Sequence, residues 1–285
     1  MFQRFVSHVL IGLATFVLTA TFFMWTVDSR VLDSQVLNGE LRKAGVVEEF
    51  TNLLPQIVTA EENASVEEQL ETSQNIAKAI DAVYVQDKVF LISDSLITFM
   101  KAGEPDPVLD LSDFPERLAE NGVEVGEEID SKFDEPIQLN KEGNLDAIPK
   151  AYKTFSMVKW AGVFVFAGLL IIEWLLIEKG KKLRRFSRIF LYAGISYLFY
   201  WVLLVGAQGR LGSALQKNVE AKYDTTGLIN AILQAVNGLF SAYFLSFALS
   251  CIAITITLYA IRHYRDGDVL AQQEASSTAG KKAKK

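Results

Sequence analysis

The chain has 285 residues, 50% of them hydrophobic, and 28 Lys and Arg against 34 Asp and Glu give a formal charge of −6. One cysteine, Cys251, excludes a disulfide within the chain, and two histidines, His8 and His263, both at the ends of apolar runs, exclude His-based hydrolysis and most zinc chemistry from the polar part. That polar part, residues 28–157, carries 27 acidic and 11 basic residues, and its net −16 excludes nucleic acid and disfavours anionic lipid headgroups there.

Four apolar runs organise the rest: Phe5–Val27, Trp160–Ile177, Ile189–Ala207 and Leu239–Ile261. Each is near the roughly 20 residues with which an α-helix crosses about 30 Å of hydrocarbon. The expected fold class is mainly α: a four-transmembrane-helix membrane protein with an inserted, mostly helical extracytoplasmic domain. The bilayer is the first expected partner.

Residues 1–27 form the first expected transmembrane helix. A cleaved signal peptide is the alternative, but the run is about 23 residues long, whereas signal-peptide apolar cores span about 7–15. Residues 28–157 form an acidic extracytoplasmic domain that reads as a series of helices. Leu32, Val36, Leu37 and Leu41 make one stripe ending near Gly45. Val46, Val47, Phe50, Leu53, Leu54, Ile57 and Val58 make a second, with Pro55 an expected kink. Ser65-Val66-Glu67-Glu68 has the form of a capping box, and the helix after it stacks Val66, Leu70, Ala77, Ile80 and Tyr84. Asn63-Ala64-Ser65 also matches the glycosylation pattern, a triplet that arises by chance often. Val89, Ile92, Leu96 and Phe99 lead to Gly103, an expected terminator. After the break at GEPDP, residues 108–111 suit a short extended piece. Asp113 suits the cap of a helix beginning at Phe114. From Asn121 to Asn144 the chain is Gly- and acid-rich, with short β-like pieces at best, and is expected to be the least ordered part.

Residues 158–178 form the second expected transmembrane helix, with Lys159 snorkelling at its outer end. Residues 179–188 form a basic cytoplasmic loop whose Lys179, Lys181, Lys182, Arg184, Arg185 and Arg188 determine topology. Residues 189–208 form the third helix, and residues 209–238 an extracytoplasmic amphipathic helical loop with stripes at Leu211, Leu215, Val219 and Tyr223 and at Leu228, Ile229, Ile232, Leu233 and Val236. Residues 239–261 form the fourth helix, and residues 262–285 a disordered cytoplasmic tail. Basic residues before the first run, in the loop and after the last run agree on cytoplasmic amino and carboxyl termini. The expected localisation is thus the cell membrane, multi-pass.

No nucleotide-binding glycine loop or His-centred triad is present, and no catalytic, cofactor-binding or metal-binding residue is assigned. The acidic groups Asp106, Asp110 and Asp113, and Glu127, Glu128, Asp130, Asp134 and Glu135, lack the spacing of a calcium loop. Glu173 is the one carboxylate well inside an apolar run, a candidate intramembrane site or the partner of a loop cation. Ala242, Ser246 and Ser250, four apart, form a candidate helix-packing face within the bundle, with self-association the alternative.

VLNGELRKAGVVEEFTNLLPQIV and DSLITFMKAGEPDPVLDLSDFPERLAE resemble the outer domain of a group of uncharacterised bacterial polytopic membrane proteins. In these a helical extracytoplasmic domain lies between the first and second transmembrane helices. Phe99, Gly103, Asp110 and Leu111 match that pattern, and Val47 stands where an aromatic residue is expected. The resemblance implies the span layout but no activity. The expected function is non-enzymatic: presenting an extracytoplasmic domain to recognise or organise an envelope or surface partner. The alternatives are an accessory subunit of a membrane complex and an oligomeric channel or transporter component.

Overall fold

The computed structural model describes residues 2–59, 80–122, 135–141, 143–177, 181–218 and 225–282. The described residues are mainly helical, in the order α1 (Phe2–Arg30), α2 (Ser34–Lys43), α3 (Val46–Thr59), α4 (Ala82–Ala102), β1 (Val108–Leu109), α5 (Phe114–Glu120), β2 (Ile137–Gln138), α6 (Ala147–Leu176), α7 (Lys182–Asn218) and α8 (Thr226–Lys282). Among the described residues, four helices are long and apolar enough to cross a membrane, over Phe5–Arg30, Ala147–Leu176, Lys182–Gly206 and Thr226–Arg265. Their outward side chains are apolar, with Phe164 72% and Leu175 74% exposed. In water such a surface would be a large unsatisfied patch, whereas hydrocarbon solvates it.

The chain divides into two compact units. The first comprises Met1–Trp25, Val158–Val202 and Ala242–Lys285. Its α1, α6 and α7 meet at Ile11, Ala14, Leu169 and Ile189. Helix α7 approaches α8 closely at Gly194, where an added Cβ would lie 3.1 Å from both the Ala248 carbonyl oxygen and the Cys251 Cβ. Small residues permit this approach, which maximises dispersion contacts where no hydrophobic drive between helices exists. Tyr197 is fully buried among Phe22, Phe244 and Phe247 and donates its hydroxyl to the Thr19 carbonyl at 2.7 Å. The hydroxyls of Thr15, Ser196 and Thr257 each donate to the carbonyl four residues back on their own helix. They can therefore sit in an apolar run without an orphaned donor.

The second unit comprises Thr26–Met157 and Leu203–Ser241. Its core is Val47, Ile80, Tyr84, Val85 and Leu118, with Val89, Phe90 and Phe114 packed against it. Asp33 caps α2 by accepting from the Val36 amide, and Gly103 ends α4 at φ 84° with its amide on the Phe99 carbonyl. The expected extended piece is β1, which pairs antiparallel with β2, Val108 opposite Gln138 and Leu109 opposite Ile137. Asn140 secures the return: its Nδ2 donates to Asp106 and Asp146, each at 2.9 Å, and its Oδ1 accepts from the Leu145 amide. Along α8, the carboxylates of Glu49 and Glu40 lie against Gly227 and Gly238, where the absence of a Cβ lets them approach the helix.

Several expectations need correction. Tyr84 does not continue a helix from Ile80: Asp81 accepts from the Tyr84 amide and starts α4 afresh. Asp113 precedes α5 but makes no side-chain cap, because its carboxylate is taken by Lys88 and Tyr84. Helix α7 runs on to Asn218 and α8 already begins at Thr226, so the described part of the segment expected as a helical loop over 209–238 is continuous with the spans on either side. The tail expected to be disordered over 262–285 is helical as far as Lys282. No proline follows Pro149, so nothing removes a backbone donor from these helices, and Ala271, Gln272, Gln273 and Glu274 favour continuation. Helix α3 passes through Pro55 to Thr59. The Ser65 capping box, the Asn63 triplet, Val219, Tyr223 and the cluster Glu127 to Asp134 lie outside the described residues.

Filling the closest helix approach tests the first unit. Gly194→Leu should lower thermal stability in lipid nanodiscs by about 1–3 kcal/mol, the usual cost of overpacking. Tyr197→Phe should cost about 1 kcal/mol, because the Thr19 carbonyl loses only one extra donor. Equal effects from both changes would contradict the packing described.

Candidate functional site

Two places gather polar side chains against apolar walls, one in each unit. In the first unit, Glu173 on α6 is 1% exposed. Its Oε1 accepts from Ser7 Oγ on α1 at 2.7 Å and lies 3.6 Å from Arg185 Nη1 on α7. Arg185 also donates to Ser7 Oγ. Glu173 Oε2 is buried with no hydrogen-bond partner among the described residues. Three helices thus converge on one carboxylate. A lone carboxylate in hydrocarbon is unfavourable by several kcal/mol, and a guanidinium with a hydroxyl offsets part of that. The pair is weak ground for high stability, but only one rotation of α6 brings Glu173 to both partners. Arg185 therefore has a packing role in addition to the topological one expected of it. Ser7 was not singled out by the sequence, since one serine among apolar neighbours carries no pattern.

The other cations of the loop expected over 179–188 are dispersed, and those from Lys182 onward stand on α7 rather than in a loop. Lys182 lies over the Trp174 ring at 4.2 Å, Lys181 and Arg184 are exposed, Arg188 is half-buried, and Lys179 lies outside the described residues. Lys159 is buried rather than snorkelling, with its ammonium 4.7 Å above the Trp25 ring. The indole face attracts the charge and spares it a path to water.

Ala242, Ser246 and Ser250 do not form the packing face of α8. All three are exposed, and Ser246 donates to the carbonyl of Ala242 on its own helix. The packed face carries Phe244, Ala248 and Cys251 instead. Four-residue spacing identified a small-residue stripe correctly but not which way it points. Tyr197 and the aromatic rings around it claim the other side.

In the second unit, α3, α4, α5 and the β1 segment border a partly open pocket of about 330 Å³ lined by Phe50, Ile80, Tyr84, Val85, Lys88, Val89, Ile92, Leu109, Leu111 and Phe114. Nine of these ten are hydrophobic or aromatic, and Lys88 is the one charge. Lys88 Nζ donates to the Asp110 carbonyl and to Asp113 Oδ1, each at 2.7 Å, while Tyr84 donates its hydroxyl to Asp113 at 3.2 Å. Arg117 stacks over the Tyr84 ring at 4.4 Å. Burial, then the nearby Asp113 charge, pushes the Tyr84 phenol well above its ordinary range, so it remains a donor. Burial alone would raise Asp113, but the hydrogen bond and charge of Lys88 hold its carboxyl below the ordinary value. Hydrogen bonds from the Ser112 amide and hydroxyl hold Asp110 low. The sequence showed α4's stripe of Val89 and Ile92, but not that Lys88 and Asp113, 25 residues apart, would meet.

Asp106 is held by Asn140 and Asp113 by Lys88. Among the described residues no group of His, Cys, Asp and Glu could hold a metal ion. No family model, curated protein or solved structure matches this chain.

Removing one partner of the Glu173 pair should be asymmetric. Arg185→Met leaves a buried carboxylate and should destabilise by about 3–5 kcal/mol, whereas Glu173→Gln/Arg185→Met should recover much of that. Thermal unfolding in nanodiscs measures both, and additive losses would show that the pair is not coupled. For Asp113 the folded carboxyl titrates lower than the unfolded one. Its contribution is thus present above the ordinary value of about 4 and lost as pH falls through the lowered one. Asp113→Asn should flatten the acid side of the full-length protein's stability profile, and an unchanged profile would remove this tie.

Proposed function

We propose that this protein is a non-enzymatic membrane protein of the cytoplasmic membrane that presents residues 28–157 outside the cell interior to recognise or organise an envelope or surface partner. The single observation that carries this reading is a folded acidic block with its own core, Val47, Tyr84, Val85 and Leu118, in a chain with four membrane-length helices. A stretch that merely joined two spans would not need such a core. The basic residues at 179–188 support cytoplasmic ends, and kinship with polytopic bacterial proteins of this layout belongs to the same proposal. The pocket beside Lys88 gives the block a concave apolar surface of the kind that binding uses.

One observation favours a second reading. The exposed Ala242, Ser246 and Ser250 on α8 are not consumed by packing within the chain, which suits docking of another transmembrane helix as in an accessory subunit. Conduction has less support, because Glu173 is buried against Arg185 of its own chain.

Both parts are tested in cells. With Cys251→Ser as background, Ala102→Cys should react with an impermeant maleimide on spheroplasts, and Ser277→Cys only after lysis. Equal reaction at both sites overturns the topology. Crosslinking from Glu116→Cys should capture an outer partner that is lost when residues 28–157 are deleted. Capture that survives this deletion but fails with Ser246→Leu favours the accessory-subunit reading instead.

A further inference from the structure

The pocket beside α4 specifies a ligand more narrowly than recognition in general. Protein interiors are close-packed, with few voids larger than a water. This opening of about 330 Å³ is far larger than the space one water needs. It has no polar wall to hold a water cluster: Val85, Val89, Ile92 and Leu109 offer only hydrocarbon. The pocket is partly open to solvent, so an apolar guest gains by displacing water from its apolar wall, and about 150 Å³ already accommodates benzene. Twice that volume suits a flexible chain of several methylenes.

The rim restricts what the chain is attached to. Lys88 has three N–H donors, and two of them are taken by the Asp110 carbonyl and Asp113. The third suits a carbonyl oxygen. A carboxylate or phosphate is disfavoured, because Asp113 already pairs with this cation and the surrounding block carries a net −16 from 11 basic and 27 acidic residues. A cationic head would be repelled by Lys88 itself.

We propose that the pocket formed by α3, α4, α5 and the β1 segment binds an acyl chain joined through an uncharged ester or amide, the chain lying against Val85, Val89 and Leu109 and the carbonyl meeting Lys88. This deepens the recognition role and rests on it. The same chemistry occurs in a neutral acylglycerol and in an acylated peptide.

Two probes separate these sources: monododecanoyl glycerol and N-dodecanoyl glycinamide, each with a photoactivatable diazirine near the end of the chain. They are added to the full-length protein in phosphatidylcholine nanodiscs, with diazirine-bearing dodecanoate as control, and labelled peptides are mapped by mass spectrometry. At least one neutral probe should label residues 85–92 or 109–114 at least threefold more than dodecanoate does, and the preferred probe identifies the source. Val89→Trp and Leu109→Trp, which fill the pocket from different walls, should each reduce labelling at least fivefold while thermal unfolding remains cooperative. Labelling confined to the membrane helices, unaffected by both variants that fold, or equal with dodecanoate overturns the proposal. If the Glu116→Cys crosslink still captures an outer partner in that case, only the ligand class falls. If the maleimide experiment fails while the pocket labels, the topology falls and the pocket stands.

Discussion

Hydrocarbon offers no hydrogen-bond partner, so a backbone that enters it must satisfy every amide and carbonyl by itself. That constraint decides the architecture of most of this protein. It makes α1, α6, α7 and α8 uninterrupted helices across the hydrocarbon, while α7 and α8 run on beyond the shortest length that crosses a bilayer because no proline interrupts them. It also explains the behaviour of the polar side chains on them. Thr15, Ser196 and Thr257 turn their hydroxyls back onto their own helices, and Tyr197 finds a carbonyl on α1. Apolar side chains meanwhile face outward freely, because lipid is as good a solvent for them as another helix.

Within such a bundle burying apolar surface distinguishes poorly between alternative helix arrangements, and specificity falls to shape and to the few polar groups. Gly194 admits the Ala248 backbone to within contact distance, and the Ser7, Glu173 and Arg185 cluster closes only when three helices are correctly rotated. The two devices work in different ways. The glycine allows many weak dispersion contacts, whereas the carboxylate penalises every arrangement that leaves it without a donor.

The second unit is governed by the opposite solvent relation. Its strongly acidic composition keeps its surface hydrated, and its core of Val47, Tyr84, Val85 and Leu118 is held by removal of apolar area from water. Without disulfides, the short segments after α4 depend on side-chain anchors. Asn140 joins three points of the β2 return, and Lys88 joins α4 to Asp110 and Asp113. The same lysine stands at the edge of the apolar pocket, so the contact that fixes the α5 segment also supplies the pocket's one polar feature.

Much of this was legible in the order of residues. Run length and composition determine that four helices can cross a membrane, and strong local signals such as Gly103 after the α4 stripe determine where a helix stops, since both depend on near neighbours in the chain. Competition between local and distant partners was not legible. Asp113 has the form of a cap but spends its carboxylate on Lys88, and Asp81, unremarked in the sequence, starts α4. Direction was hidden too: a periodic stripe defines a face of α8 but not its neighbour, and the aromatic cluster around Tyr197 turned Phe244 and Ala248 inward and Ser246 outward. The pairing of Glu173 with Arg185 was one of several open to it until α1 brought Ser7 beside them. Spacing along a chain sets which side chains share a face; only packing in three dimensions sets what that face meets.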